Sequence, residues 1–301
     1  RQRAFLPVPG EARPDWKILA QVGQRMGFER AFDYTSPAEI FREYAALSGI
    51  AGQFGRDFDI SGLADISDAD YEAMQPQRWP ISNARRGGRF FADGRFFHPD
   101  GKAHFVPVTW RPCAAKASPK YPYRLNTGRL RDQWHTMTRT ALSQRLSGHL
   151  PEPFLDIHPR AAAALSVQPS DLVEVKSALG AAIMRARITT SVQPGQVFAP
   201  MHWTAETAPS ARIDTLVAAA CDPVSGQPES KASVVAVHRY DAAWYGFAVS
   251  RDEMRFTSDY WAVARTEHGF RAELAGKTPV ADWEDAARHL FGGENLTFSI
   301  I

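Results

Sequence analysis

Short β-type runs separated by turn signals fill residues 119–240, and this texture constrains the fold more than any other feature of the chain. Tyr123–Thr127, Leu172–Ser177, Ala182–Thr189, Val197–Ala199 and Ser233–His238 are the strand candidates. Gly180 and Pro194-Gly195 mark tight turns, and Pro159–Leu165 reads as a short helix between the first two runs. Several short strands satisfy their backbone groups without open edges by closing on themselves, so a compact barrel is predicted.

The flanks differ. In residues 1–111, Pro14-Asp15 opens a helical pattern with Trp16, Ile18, Leu19, Val22 and Met26 on one apolar stripe, closed at Gly27. Ser36-Pro37-Ala38-Glu39 is a capping box with Pro at the first helical position, followed by Ile40, Phe41, Tyr44, Ala45 and Leu47. Glycines and acids from Gly49 to Asp70 suggest an irregular loop. Turn signals at Ala92-Asp93-Gly94 and Pro99-Asp100-Gly101 separate Arg89–Phe91, Arg95–His98 and Ala103–Val108, which read as small hairpins. In 241–301, Trp261, Val263 and Ala264 suggest a strand, and Thr278-Pro279 starts a helix through Leu290 that Gly292-Gly293 stops.

Length suggests about two domains, and a 44% hydrophobic, 23% charged composition is ordinary globular material. A formal net charge of +2 gives no reason to expect nucleic acid or a membrane surface as main partner. No apolar run reaches the roughly 18 residues of a membrane span. The opening Arg1-Gln2-Arg3 carries neither an initiator Met nor a signal-peptide apolar region, so the chain reads as a piece of something longer. Cys113 and Cys221 stand far apart and read as structural thiols; no C-x-x-C site is available from this chain.

Three segments hold residues that a plain barrel does not require. Leu125–Thr140 stacks hydroxyls, ring donors, three guanidinium groups and Gly128, with almost nothing a core would want. Such a density of donors suits a large, oxygen-rich, anionic ligand, with Arg and Thr facing phosphate and Gly128 allowing close backbone approach. Phe198-Ala199-Pro200-Met201-His202-Trp203 ends an apolar strand with two polar-tipped rings, echoing Trp134-His135. Asp222–Lys231 is a loop stiffened by Pro223 and Pro228 that delivers Lys231 ahead of a strand, a positioned charge. A metal pair at His149 and His158 lacks a third ligand at plausible spacing, and His98 and His104 read as solvated hairpin residues. No G-x-S-x-G elbow, Walker loop or G-x-G-x-x-G turn is present. The residues describe a binder that serves chemistry carried by something else.

The order T-G-R-x-R-D-Q-W-H-T-M-T-R-T at 127–140, H-x-P-E-P at His149–Pro153, I-H-P at Ile157–Pro159 and D-L-V-x-V at Asp171–Val175 resembles the bacterial assimilatory nitrate reductases. P-M-H-W at Pro200–Trp203 and D-P-x-S-G-Q-P-E-x-K at Asp222–Lys231 extend the likeness. It is densest from about 119 to 240, and Gly10–Trp16 and Phe91–Val108 share it. The part resembled is the C-terminal portion of the molybdenum catalytic subunit, with its molybdopterin dinucleotide-binding domain. The implied fold is α+β, mainly β: a six-stranded double-psi-like barrel at 112–240, a mixed α/β segment at 1–111 from the oxidoreductase core, and a small C-terminal extension at 241–301.

The resemblance implies a molybdenum bis(molybdopterin guanine dinucleotide) cofactor, with this domain covering one dinucleotide. The gripping stretch would be Thr127, Gly128, Arg129, Leu130, Arg131, Asp132, Gln133, Trp134, His135 and Thr136. Arg129 and Arg131 would neutralise pyrophosphate. His202 and Trp203 would lie near the pterin and the funnel to molybdenum, and Lys231 would approach from the final loop. Asp214 stands where related enzymes commonly carry Asn, and its carboxylate could accept from a guanine edge instead. The [4Fe-4S] cysteines and the molybdenum ligand would lie upstream, outside this chain, and any cysteine-rich electron-entry module beyond Ile301.

The expected function is therefore cofactor binding within a cytoplasmic nitrate reductase, with the fragment alone inactive. The expected partners are the N-terminal part of the same enzyme, an electron-donor protein or reductase subunit, and nitrate as substrate. A formate dehydrogenase-like molybdoenzyme and a stand-alone protein-interaction barrel are the alternatives.

Overall fold

The computed structural model describes residues 3–281. The chain divides into two compact units, Arg1–Val108 and Thr109–Ile301.

The first unit carries α1 (Asp15–Arg25), α2 (Pro37–Gly52) and α3 (Asp68–Ala73). The α1 helix follows Pro14 and stops ahead of Gly27, whose φ of 92° suits the left-handed region. Its buried positions are Ala20 and Gly23, where a Cβ would sit 2.5 Å from the Phe32 ring. The stripe of Ile18, Leu19, Val22 and Met26 is exposed instead of facing a core, a departure from its sequence pattern. On α2 the Ser36 hydroxyl accepts from the Glu39 amide, while the Glu39 carboxylate reaches back to the Thr35 amide at 2.7 Å. The hairpins expected within 89–108 are absent: this stretch holds turns but no strand. Asp93 and Asp100 each accept from the amide two residues on, at 3.1 and 3.0 Å, so the turns close locally without recruiting a neighbour.

In the second unit, β1 (Tyr123–Gly128), β2 (Phe154–Ile157), β3 (Leu172–Lys176), β4 (Ala181–Ile188), β5 (Gln196–Pro200) and β6 (Ser233–Arg239) close into a barrel of order β1-β5-β2-β4-β3-β6. Two pairs, β1 with β5 and β2 with β4, run parallel; the remaining neighbours are antiparallel, and β6 closes the ring on β1. Short helices α4 (Gln144–Ser147) and α5 (Pro159–Ala164) sit in the connections. Leu125, Leu155, Ile157, Val173, Val175, Val197 and Val235 are fully buried and fill the interior. The strands expected within 119–240 are all present. Sequence reading overlooks β2, whose four residues are all buried and include Asp156. That carboxylate is matched across the β2–β4 register by Arg187 through two contacts of 2.5 and 2.9 Å, with the guanidinium 3.7 Å over the Phe154 ring.

A three-stranded antiparallel sheet follows, order β7-β9-β8, from β7 (Trp244–Ser250), β8 (Tyr260–Thr266) and β9 (Gly269–Gly276). The strand expected around Trp261 is β8, and β7 and β9 escape sequence reading. The Tyr260 hydroxyl, fully buried, donates to Glu152 at 2.8 Å, and Arg185 forks onto the same carboxylate at 2.9 and 3.1 Å. The Val263 amide donates to the Thr207 carbonyl at 2.8 Å, tying the β8 edge to the loop after β5. The helix expected from Thr278-Pro279 lies largely outside the described residues.

Candidate functional site

Barrel topology gathers the three polar segments at one end. Parallel strands β1 and β5 finish side by side, with Gly128 opposite Pro200, and the Met201 amide continues the ladder onto the Gly128 carbonyl at 2.9 Å. Antiparallel β6 begins at that same end, because Ser233 pairs with Leu125. The 129–140 hook, the 201–208 loop and the approach to Lys231 therefore meet.

Backbone-directed bonds stitch them together. Lys231 Nζ donates to the Thr127 carbonyl at 2.5 Å, and the Thr127 hydroxyl donates to the Ser230 carbonyl at 3.0 Å. His202 is fully buried; its Nε2 accepts from the Leu130 amide at 2.8 Å, and its Nδ1 lies 2.6 Å from the His135 carbonyl. Burial foremost, with the Arg129 charge behind it, holds the His202 pKa below its ordinary 6.5, although the His135 carbonyl pulls the other way. Trp203 packs inward with Met137, Leu172, Tyr240 and Tyr260. Buried Gln133 accepts from the Thr140 hydroxyl at 2.7 Å and donates to the Leu146 carbonyl at 3.3 Å.

The hook is held in an unusual backbone shape. His135 and Met137 both adopt positive φ, 45° and 60°. Each costs of order 1 kcal/mol for a residue with a side chain, so the surroundings must impose it. The His202 bond to the first and core burial of the second do so.

What remains outward is cationic and polar. Arg129, Arg131, Trp134, His135 and Thr136 are exposed, with Arg129 5.9 Å above the Trp134 ring. Arg131 pairs with Asp132 at 2.9 and 3.1 Å, and His149 Nδ1 reaches the same carboxylate at 2.5 Å. Arg131 first, then His149, hold the Asp132 carboxyl below the usual carboxylate range. His158 caps α5, accepting from the Arg160 amide at 3.2 Å.

An open groove of about 810 Å³ runs beside the hook. It brings together four of the expected residues, Thr127, Thr136, Trp203 and Asp214, with Thr138 and Ser230 from the segments already singled out, and adds Thr204 and Arg212, which sequence reading did not single out. Arg129, Arg131 and Trp134 sit on the hook without lining this groove, and Lys231 is spent on the Thr127 carbonyl. Gly128 has a packing reason: a Cβ there would lie 2.5 Å from the Phe198 ring. The groove's hydroxyls and the Arg212 guanidinium as donors, with the Asp214 carboxylate as acceptor, make a set suited to a phosphorylated ligand with a hydrogen-bonding base, in a space of ligand size.

Residues 123–234 match the family model described as Molydopterin dinucleotide binding domain. Residues 123–234 belong to the molybdopterin dinucleotide-binding family. A nitrate reductase of Klebsiella oxytoca is 41% identical over 284 residues, 94% of this chain and 32% of that protein. The F420-dependent formate dehydrogenase subunit alpha of Methanocaldococcus jannaschii is 29% identical over 239 residues, 79% of this chain and 33% of that protein. The chain thus spans about a third of the length of these curated relatives. Among solved structures, acetylene hydratase from Pelobacter acetylenicus matches with a TM-score of 0.52 at 15% identity, covering 77% of this chain and 33% of that one; this is a likeness of fold. The molybdopterin-domain barrel expected from the sequence is the fold observed.

Proposed function

We propose that this chain is the cofactor-binding part of a molybdenum nitrate reductase of nitrate assimilation, gripping one molybdopterin guanine dinucleotide with the hook and groove. The observation that carries the reading is the division of labour in the hook. Its inward groups are consumed by hydrogen bonds, while Arg129, Arg131 and Thr136 remain outward and Thr136 and Asp214 line the groove. Arg129, Arg131 and Arg212 supply charge for pyrophosphate, Thr136 and Thr138 hydroxyls complete its shell, and Asp214 accepts from the guanine edge. When bound, the cofactor supplies oxygen-atom transfer and two-electron redox chemistry at molybdenum; the protein supplies binding and orientation. Lys231 and His202 act behind the groove by fixing the hook's two ends.

The metal ligand and the [4Fe-4S] cysteines belong, in this reading, to the rest of the enzyme. The exposed stripe of Ile18, Leu19, Val22 and Met26 supports an adjoining N-terminal part as partner, since such apolar faces mark interaction surfaces. Among the described residues no helix is long and apolar enough to cross a membrane, which is compatible with the cytoplasmic enzyme we propose. In a full-length enzyme carrying this segment, Arg129→Ala should lower molybdopterin content per protein. Unchanged cofactor loading with unchanged nitrate reduction would overturn the assignment. The formate dehydrogenase relative supports a second reading with the same site and another substrate; nitrate and formate assays on that full-length enzyme separate the two.

A further inference from the structure

The two groups that meet the His202 ring can each act in one way only. The Leu130 amide is a donor, so the Nε2 facing it at 2.8 Å must be an unprotonated acceptor. The His135 carbonyl is an acceptor, so the Nδ1 facing it at 2.6 Å must carry the hydrogen. One tautomer of the neutral ring satisfies both, and neither the other tautomer nor the imidazolium does. The ring is fully buried and both nitrogens are used, so His202 has no atom left to offer a ligand.

Its partners bracket the segment that displays the cations. Leu130 and His135 lie on either side of Arg131–Trp134, and His135 sits at positive φ, a conformation the bond to His202 helps impose. Loss of either bond frees one end of a strained loop while the barrel beneath keeps its own ladder.

We propose that His202 is a positioning residue for the anionic-ligand site: as a neutral, Nδ1-protonated ring it clasps the hook at Leu130 and His135 and sets the shape in which Arg129, Arg131 and Thr136 are presented. The ligand in this statement rests on the dinucleotide reading above; the clasp itself does not.

The full 301-residue chain provides the test. Nitrogen-15 spectra of the imidazole should show Nδ1 protonated and Nε2 bare at neutral pH, in a ring that resists titration across the range where a solvated histidine changes charge. In His202→Leu, the Leu130 amide should exchange with solvent at least about tenfold faster while Val197 in β5 keeps its protection. Binding of guanosine 5′-diphosphate should weaken by about fivefold or more, and His202→Gln, whose amide offers one donor and one acceptor, should recover part of both losses. A protonated Nε2 in the wild-type chain, or unchanged Leu130 exchange in His202→Leu, would overturn the clasp. Unaltered diphosphate affinity in a variant with a loosened hook would overturn its positioning role. If the wild-type chain ignores guanosine 5′-diphosphate, the dinucleotide reading and the positioning role fall, and the spectra and exchange still decide the clasp. The spectra need no variant, so a misfolded His202→Leu leaves a decisive arm.

Discussion

Gly128→Ala isolates the packing that lets β1 and β5 end together at the site. An ideal Cβ at this position meets Phe198 Cε2 at 2.5 Å and Cζ at 3.0 Å, well inside contact distance. The ring cannot simply swing aside at no cost, because Phe198 is the direct register partner of Asp156 on the other side of β5 and its ring stands 6.4 Å from that of Phe154. Overpacking of this kind costs about 1–3 kcal/mol. At roughly 2–4 °C per kcal/mol for a unit of this size, the barrel should melt about 2–12 °C lower. The assay is thermal unfolding combined with hydrogen exchange at the Leu125 and Val197 amides, which report the barrel alone. A double-mutant cycle with Phe198→Val sharpens it: the shorter side chain removes the clash, so the pair should couple favourably by about 1 kcal/mol. If Gly128→Ala melts like the parent, or if Phe198→Val gives no relief, the packing explanation for Gly128 is wrong and its value would have to lie in backbone approach to a ligand.

Other outcomes follow from the same structure. Leu155→Ala, at a position with no solvent exposure, should cost about 2–5 kcal/mol of barrel stability in urea unfolding. Tyr260→Phe removes one of the donors to Glu152 and should cost about 1 kcal/mol, read as faster amide exchange in β8 and β9 with the barrel little changed. The neutral His202 makes stability depend on pH. Because its folded pKa lies below 6.5, the unfolded chain binds the extra proton first, so this contribution is complete above pH 6.5 and is lost as pH falls from there through the folded value. Unfolding measured from neutral pH into this range should show that loss in the parent and a smaller one in His202→Gln; equal slopes would contradict it.

Strands with a β-branched run bounded by Gly or Pro were legible in the sequence, and so was the barrel they build. What was not legible depends on distant partners. Phe154–Ile157 contains an acid, and Asp156 becomes a buried strand residue because Arg187 faces it from β4. The β9 run is half Gly and Ala, and its pairing with β7 and β8 on either side determines it rather than propensity; β7 holds ordinary strand formers and had a local signal. At 89–108 the turn signals are sound but no strands flank them: the turns close through the Gly94 amide on the Phe91 carbonyl and the Gly101 amide on the His98 carbonyl, with the Asp93 and Asp100 side chains beside them. At the site, the segments could be chosen from residue type, but not which way each residue faces. Beyond the end of β5, His202 turns inward onto Leu130 and His135 as a support, and Trp203 packs into the core with one side left on the groove. Arg212, an isolated cation in a loop, carried no local signal and enters the groove through the fold.

The most direct measurement is a backbone-amide NMR titration of the full chain with guanosine 5′-diphosphate. The hook-and-groove account predicts saturable shifts concentrated at Arg129–Thr138 and Arg212–Leu216, weakening as salt is raised. Shifts that are absent at millimolar ligand, or that gather on the β7–β9 sheet or the first unit, would contradict it.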